Sequence, residues 1–115
     1  MEFPENLKHR IFYEKTLKRR WVKDIIETMQ DGIVLEFCYQ DKNGEELSYI
    51  LSAPVCLKVF EKQWYLIGWN PNDKIRIYAL DRIKMMGEEW TTFSLPKDTD
   101  YNEFIAKYFD INKVE

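Results

Sequence analysis

Three residues with chemistry to offer stand at two- and four-residue steps late in the chain: Arg76, Tyr78 and Arg82. Side chains alternate along a straight strand, so this spacing puts all three on one face and sets two guanidinium groups around an aromatic ring. Such a set suits a stacked base flanked by phosphates, because guanidinium meets phosphate by charge-assisted, often bidentate, hydrogen bonds and every base has a π-face. The same residues have a plainer use, in which Asp81 pairs with an arginine and Tyr78 packs under the N-terminal helix. Tyr65 is the second stacking candidate. It lies in Gln63-Trp64-Tyr65-Leu66-Ile67-Gly68-Trp69, a stretch apolar on both faces, where a tyrosine or tryptophan can equally be core.

Catalytic chemistry finds no comparable set. The single histidine, His9, has no Cys, His or carboxylate at ligand spacing, so neither a zinc site nor a nucleophile–histidine pair can be built on it. Glu88-Glu89, Asp98 and Asp100 read as turn and capping residues, not an acid/base pair, and no glycine-rich phosphate loop occurs. The expectation is a protein that is not an enzyme and uses no metal and no cofactor. Cys38 and Cys56 both fall in strand-like stretches and are expected as free thiols of a reducing compartment.

The elements that must position these residues come from a chain of 115 residues, room for one domain, with 45% apolar and 16% aromatic residues to bury. No apolar run approaches a membrane span, and MEFPENLKHR lacks the apolar core of a secretory signal, so a cytoplasmic protein is expected. Residues 1–23 hold seven Lys/Arg against three Glu, a net +4, which leaves −7 for the rest of a chain whose total is −3. A basic arm on an acidic body fits contact with nucleic acid, or a helix whose charges only solvate its outer face.

From Asn6 to Gln30 no Gly or Pro interrupts, and Tyr13, Leu17, Trp21, Ile25 and Met29 recur at four-residue steps, predicting one long or two short helices. Asp31-Gly32 supplies the stop. Ile33, Leu35, Phe37 and Tyr39 then alternate as a half-buried strand, and Asp41-Lys42-Asn43-Gly44 turns the chain into a hairpin partner carrying Leu47, Tyr49, Leu51 and Ala53. Pro54 ends or bends that strand. Val55–Phe60 and Gln63–Trp69 form a second hairpin, and Lys74–Leu80 alternates once more after the loop Asn70-Pro71-Asn72-Asp73. Five short antiparallel strands predict a small closed or nearly closed barrel. Beyond Gly87 the pattern loosens until Asp98 or Asp100 caps a helix with Tyr101, Phe104, Ile105, Tyr108 and Phe109 on its apolar face. That face must be covered by the barrel, a second copy of the chain or a partner.

Trp64-Tyr65-Leu66, then Ile67-Gly68-Trp69, then Arg76-Ile77-Tyr78-Ala79-Leu80-Asp81-Arg82-Ile83, preceded by Pro54 and a first strand closing in Tyr39, resembles the WYL family over roughly Trp21 to Met86. The resemblance implies a five-stranded SH3-like barrel within an α+β chain. It also implies a role as the ligand-sensing or nucleic-acid-binding part of a bacterial transcriptional regulator. Family members show four arginines around the ligand face; Arg76 and Arg82 match, while Ile50 and Ala79 hold the other two positions. The expected layout is a helical segment over 1–31, the barrel over 32–87 and an extension with one helix over 88–115. Some 30 residues before the first strand are too few for a winged helix-turn-helix, so a DNA-binding domain or partner protein is expected elsewhere. The expected site is Arg82, Arg76, Tyr78 and Tyr65, taking a nucleotide or single-stranded nucleic acid. The alternative is an interaction or dimerisation module, forming a homodimer.

Overall fold

The computed structural model describes residues 4–12 and 21–115, with the backbone alone for 88–90. A 3-10 turn (Glu5–Arg10) leads into the short strand β1 (Ile11–Phe12), and helix α1 (Val22–Asp31) precedes the main sheet. The sheet is built from β2 (Ile33–Gln40), β3 (Leu47–Phe60), β4 (Gln63–Trp69), β5 (Ile75–Ala79) and β6 (Ile83–Thr92). A 3-10 turn (Leu80–Arg82) joins β5 to β6, and α2 (Tyr101–Tyr108) and a last 3-10 turn (Ile111–Lys113) close the chain's course. The protein is mainly β with flanking helices. The strand order is β5-β4-β3-β2-β6, antiparallel throughout, with β1 added to β3 in parallel through Ile11↔Leu57 and Phe12↔Lys58.

Local chemistry accounts for several elements. Gly32 ends α1 at φ 65°, its N–H donating to the Met29 carbonyl, and its own carbonyl accepts the Phe93 N–H at 2.9 Å. Asp41 shapes the β2–β3 turn by accepting from the N–H groups of Asn43 and Glu45, and Gly44 there takes φ 73°. Asp100 caps α2 by accepting from the N–H groups of Asn102 and Glu103.

Four expectations are corrected. The two strands expected on either side of Pro54 are one, β3, whose first half pairs with β2 and whose second half pairs with β4. Pro54 sits where the partners change, beside a register shift, a position that tolerates a residue with no N–H. The expected closed five-stranded barrel is an open sheet, since β5 and β6 do not pair with each other among the described residues. The edge of β5 that closure needs is taken by the C-terminal segment: Val114 bridges to Ile77, and the Glu115 N–H donates to the Ile77 carbonyl at 2.9 Å. β6, read from sequence as a loosening of the pattern, pairs with β2 from Tyr39↔Ile83 to Ile33↔Thr92 and runs across the expected boundary at residue 87.

The fourth correction concerns the N-terminal stretch: Glu5–Arg10 is a 3-10 turn, Ile11–Phe12 a strand, and α1 begins at Val22 after Trp21 at φ 70°, so no single helix runs from Asn6 to Gln30. Ile11 and Phe12 gain a ladder with β3, and Arg10 donates to two β3 carbonyls, contacts that outweigh helical propensity. Tyr13 and Leu17 lie outside the described residues.

The sheet has a core on each face. One joins Ile25, Ile26 and Met29 of α1 to Phe37, Leu66 and Tyr78; the other joins Tyr65, Ile67, Ile77 and Val114 to the aromatic face of α2. β4 is thus buried on both sides, as its composition predicts, and the α2 face packs, half-buried, against this chain's own sheet.

Candidate anion-binding face

The turn Leu80–Arg82 follows from burial at its two ends. Leu80 and Ile83 are 3% and 0% exposed, so the residues between them are held at the surface of the first core. Arg82 does not reach its place by a straight strand, as the two-residue spacing supposed; the 3-10 turn swings it there. Its guanidinium lies over the Tyr39 ring, 5.1 Å from the centroid, and its Nη1 is enclosed without a hydrogen-bond partner among the described residues. Asp81 is exposed and makes no ion pair with Arg82 among the described residues.

Tyr39, at the end of β2, is the residue that sequence reasoning left out of the site. Its hydroxyl accepts from the Ala79 N–H at 2.9 Å and donates to the Glu115 backbone oxygen at 3.1 Å. Its ring meets Tyr78 edge-on at 5.0 Å, and Tyr78 meets Phe37 at 5.1 Å, so an aromatic floor underlies the arginine. The inward alternation of Ile33, Leu35, Phe37 and Tyr39 was the signal for it, because the last inward residue of a strand sits at the rim of the core.

Tyr78 and Tyr65 are corrected as stacking surfaces. Tyr78 is 4% exposed within the first core; Tyr65 is 8% exposed on the opposite face, against Phe109 at 5.6 Å. Neighbouring register rows of β4 and β5 point to opposite faces, so these two tyrosines do not flank one ligand. Arg76 lies on edge strand β5, with Nη1 donating to the Ile75 carbonyl at 3.0 Å and Nε 4.0 Å from a Glu115 carboxylate oxygen. It opens into a cleft of about 750 Å³ that also takes in Lys42, Lys107 and Lys113. Tyr39 and Glu115 connect the two arginines, one end of the chain of contacts under Arg82 and the other beside Arg76. Ala79, where the family pattern has arginine, is 6% exposed in the second core.

Burial raises the Tyr39 and Tyr78 phenols from 10.0 to about 12, and likewise the Cys56 thiol from 9.0 to about 12. All three are neutral at pH 7, and Cys56 offers no thiolate nucleophile. Acids held protonated by the fold stabilise it fully below the pH at which the unfolded chain ionises them. That stabilisation is lost as pH rises from the unfolded values of 9.0 and 10.0 through about 12. The part of the tyrosinate absorbance that Tyr39→Phe and Tyr78→Phe variants lack should therefore rise together with loss of near-ultraviolet dichroism in an alkaline titration. Tyr39 and Tyr78 ionising near pH 10 with the fold intact would contradict their placement in the core. No group of three or more His, Cys, Asp or Glu that could hold a metal ion occurs among the described residues. Both cysteines are free, Cys56 buried and Cys38 half-buried.

An open, mainly antiparallel sheet with a helix on each side and an arginine seated on a tyrosine floor defines a small α+β domain. The WYL domain profile matches residues 20–86, more than half of the sequence, and the chain belongs to the WYL domain family. Among solved structures, the chain is similar to proteasome accessory factor B/C (PafBC) of Arthrobacter aurescens, with a TM-score of 0.62 and 17% identity. That likeness, which concerns the fold, covers 72% of this chain and 13% of the PafBC chain. A search of curated proteins by sequence found no match.

Proposed function

We propose that this chain is the ligand-sensing regulatory domain of a bacterial transcriptional regulator, working in the cytoplasm without catalysis. It takes an anionic nucleotide or single-stranded nucleic acid at Arg82 and Arg76, and a DNA-binding domain or partner protein reads out the event. WYL membership and the likeness to PafBC support a regulatory domain. The observation that carries the ligand reading is Arg82: a guanidinium fixed over Tyr39, unpaired with Asp81 and with one enclosed nitrogen left without an acceptor among the described residues. An arginine needed only for the fold would be expected to have its donors met, since an unmet buried donor costs about 1–3 kcal/mol. Tyr39 takes the supporting role first assigned to Tyr78.

The test is a salt titration of binding to a short single-stranded oligonucleotide. Arg82→Ala should weaken binding by about 1.5–3 kcal/mol, the range for hydrogen bonds to charged groups, while moving the melting temperature little. Steep salt dependence is the expected signature of phosphate contacts. Arg82→Ala that lowers stability and leaves affinity unchanged would assign Arg82 to the fold instead.

The interaction-module reading has one observation of its own. On the outer face of the sheet, Leu47, Tyr49 and Met85 are 63%, 62% and 67% exposed, with Cys38 paired in register to both Tyr49 and Met85. A contiguous apolar patch of this kind marks interaction surfaces. Wild-type protein that sediments as a dimer and binds neither nucleotide nor oligonucleotide at low salt would favour it.

A further inference from the structure

The cleft beside Arg76 is assembled from three separate parts of the chain: the β2–β3 turn, the edge strand β5 and the stretch from the end of α2 to Glu115. It gathers four cationic residues, Lys42, Arg76, Lys107 and Lys113, against the acids Asp41 and Glu115. The charge of Asp41 is already used. Hydrogen bonds from the turn, foremost the Glu45 N–H at 2.9 Å, hold its carboxyl below the usual range and tie it to backbone amides. Glu115 sits 4.0 Å from Arg76 with side chains 44% and 40% exposed, a solvent-screened pair that holds weakly. Lys42, Lys107 and Lys113 are exposed and form no ion pair among the described residues; Lys107 extends over the Tyr108 ring, at 5.1 Å. The cleft, about 750 Å³, lies within the range of small-ligand sites.

We infer that this cleft seats the phosphate groups of the ligand, with Lys107 and Lys113 supplying charge that the family's arginines would otherwise bring and Glu115 as the anion the phosphates displace. The inference rests on the reading that the domain binds a nucleotide-type anion. Ile50 and Ala79, at the two positions without the family's arginine, are apolar and pack against the first and second cores, so neither adds charge to the ligand face. Lys107 and Lys113 lie beyond residue 86, where the family match ends, and reach the cleft because the C-terminal segment docks on the β5 edge at Ile77. Ammonium groups act on phosphate as point charges and need no fixed fork, which suits an open cleft. The shared chemistry is phosphate, which can come from the backbone of a single strand or from the polyphosphate of a free nucleotide.

Two probes separate the sources: a short oligothymidylate followed by fluorescence anisotropy across a salt series, and ATP followed by calorimetry. The double variant Lys107→Ala/Lys113→Ala should weaken binding of at least one probe by about tenfold or more. For the oligothymidylate it should also flatten the log–log salt slope by about 0.7 for each phosphate no longer neutralised. Glu115→Gln should tighten the same probe several-fold, and Lys97→Ala, exposed in the turn before α2, should change nothing. A response with ATP alone assigns the cleft to nucleotide polyphosphate, and one with oligothymidylate alone assigns it to a single strand. If the double variant binds both probes like wild type while Arg82→Ala loses affinity, the cleft inference falls and the Arg82 reading stands. If wild type binds neither probe at low salt, both fall.

Discussion

Replacing Phe37 by alanine should lower the unfolding free energy by about 3–5 kcal/mol, the range for removing a buried aromatic ring from a core. Phe37 is 2% exposed at the centre of β2, paired in register with Ile50 on β3 and Met86 on β6. Its ring contacts Tyr78 at 5.1 Å and Tyr39 at 6.1 Å, both edge-on. The effect therefore combines burial, cavity formation and two aromatic contacts, each of the last worth about 0.5–1.5 kcal/mol beyond area. Because Tyr39 is the floor beneath Arg82, the variant should also weaken the oligonucleotide binding proposed above, whereas Phe37→Leu should keep most of both. Urea denaturation reads the first effect. A cost below about 1.5 kcal/mol would mean that this ring is not the centre of the first core.

The second large effect is expected at Arg10. It is 9% exposed, its Nε donates to the Val55 carbonyl at 3.0 Å, its Nη2 donates to the Pro54 carbonyl at 3.1 Å, and its guanidinium lies 5.4 Å from the Tyr101 ring centroid. Desolvation lowers its pKa, yet an arginine stays charged, so the fold carries a cation whose hydrogen bonds offset its burial. Arg10→Ala leaves two carbonyls unmet at the point where the β3 ladder shifts register and releases the first turn of α2 from the N-terminal segment. The expected cost is about 3 kcal/mol, from hydrogen bonds to a charged group worth about 1.5–3 kcal/mol each, partly recovered by water. Arg10→Lys should restore only part, because an ammonium cannot span both carbonyls in the planar fork. Equal stability of wild type and Arg10→Ala in urea would show that the contact is incidental. Faster proteolysis within residues 4–12 of the variant is the accompanying expectation.

Arg10 also marks where sequence reading stopped. In the sequence it is one of seven Lys/Arg over residues 1–23, and nothing in its neighbours shows that two carbonyls more than forty positions away will be its partners. The place of Arg82 at the surface of the first core was legible because Leu80 and Ile83 read as anchors on either side of it, and both are buried. Its seat on Tyr39 was not legible, because that depends on how β2 and the Leu80–Arg82 turn meet.

What the residues determined by themselves is what short-range physics governs. The two-residue alternation of β2, the apolar faces of β4, the stop at Gly32, the Asp41–Gly44 turn and the Asp100 cap each depend on neighbours within a few positions. Only the tertiary structure decided that β3 runs on through Pro54, that β6 pairs with β2, and that the sheet stays open with Val114 on its β5 edge. It alone also brings Lys107 and Lys113 beside Arg76. Alternation tells a strand which face to bury but not which edge to meet. That choice rests on the summed burial and ladder hydrogen bonds of distant segments, and no local pattern records it.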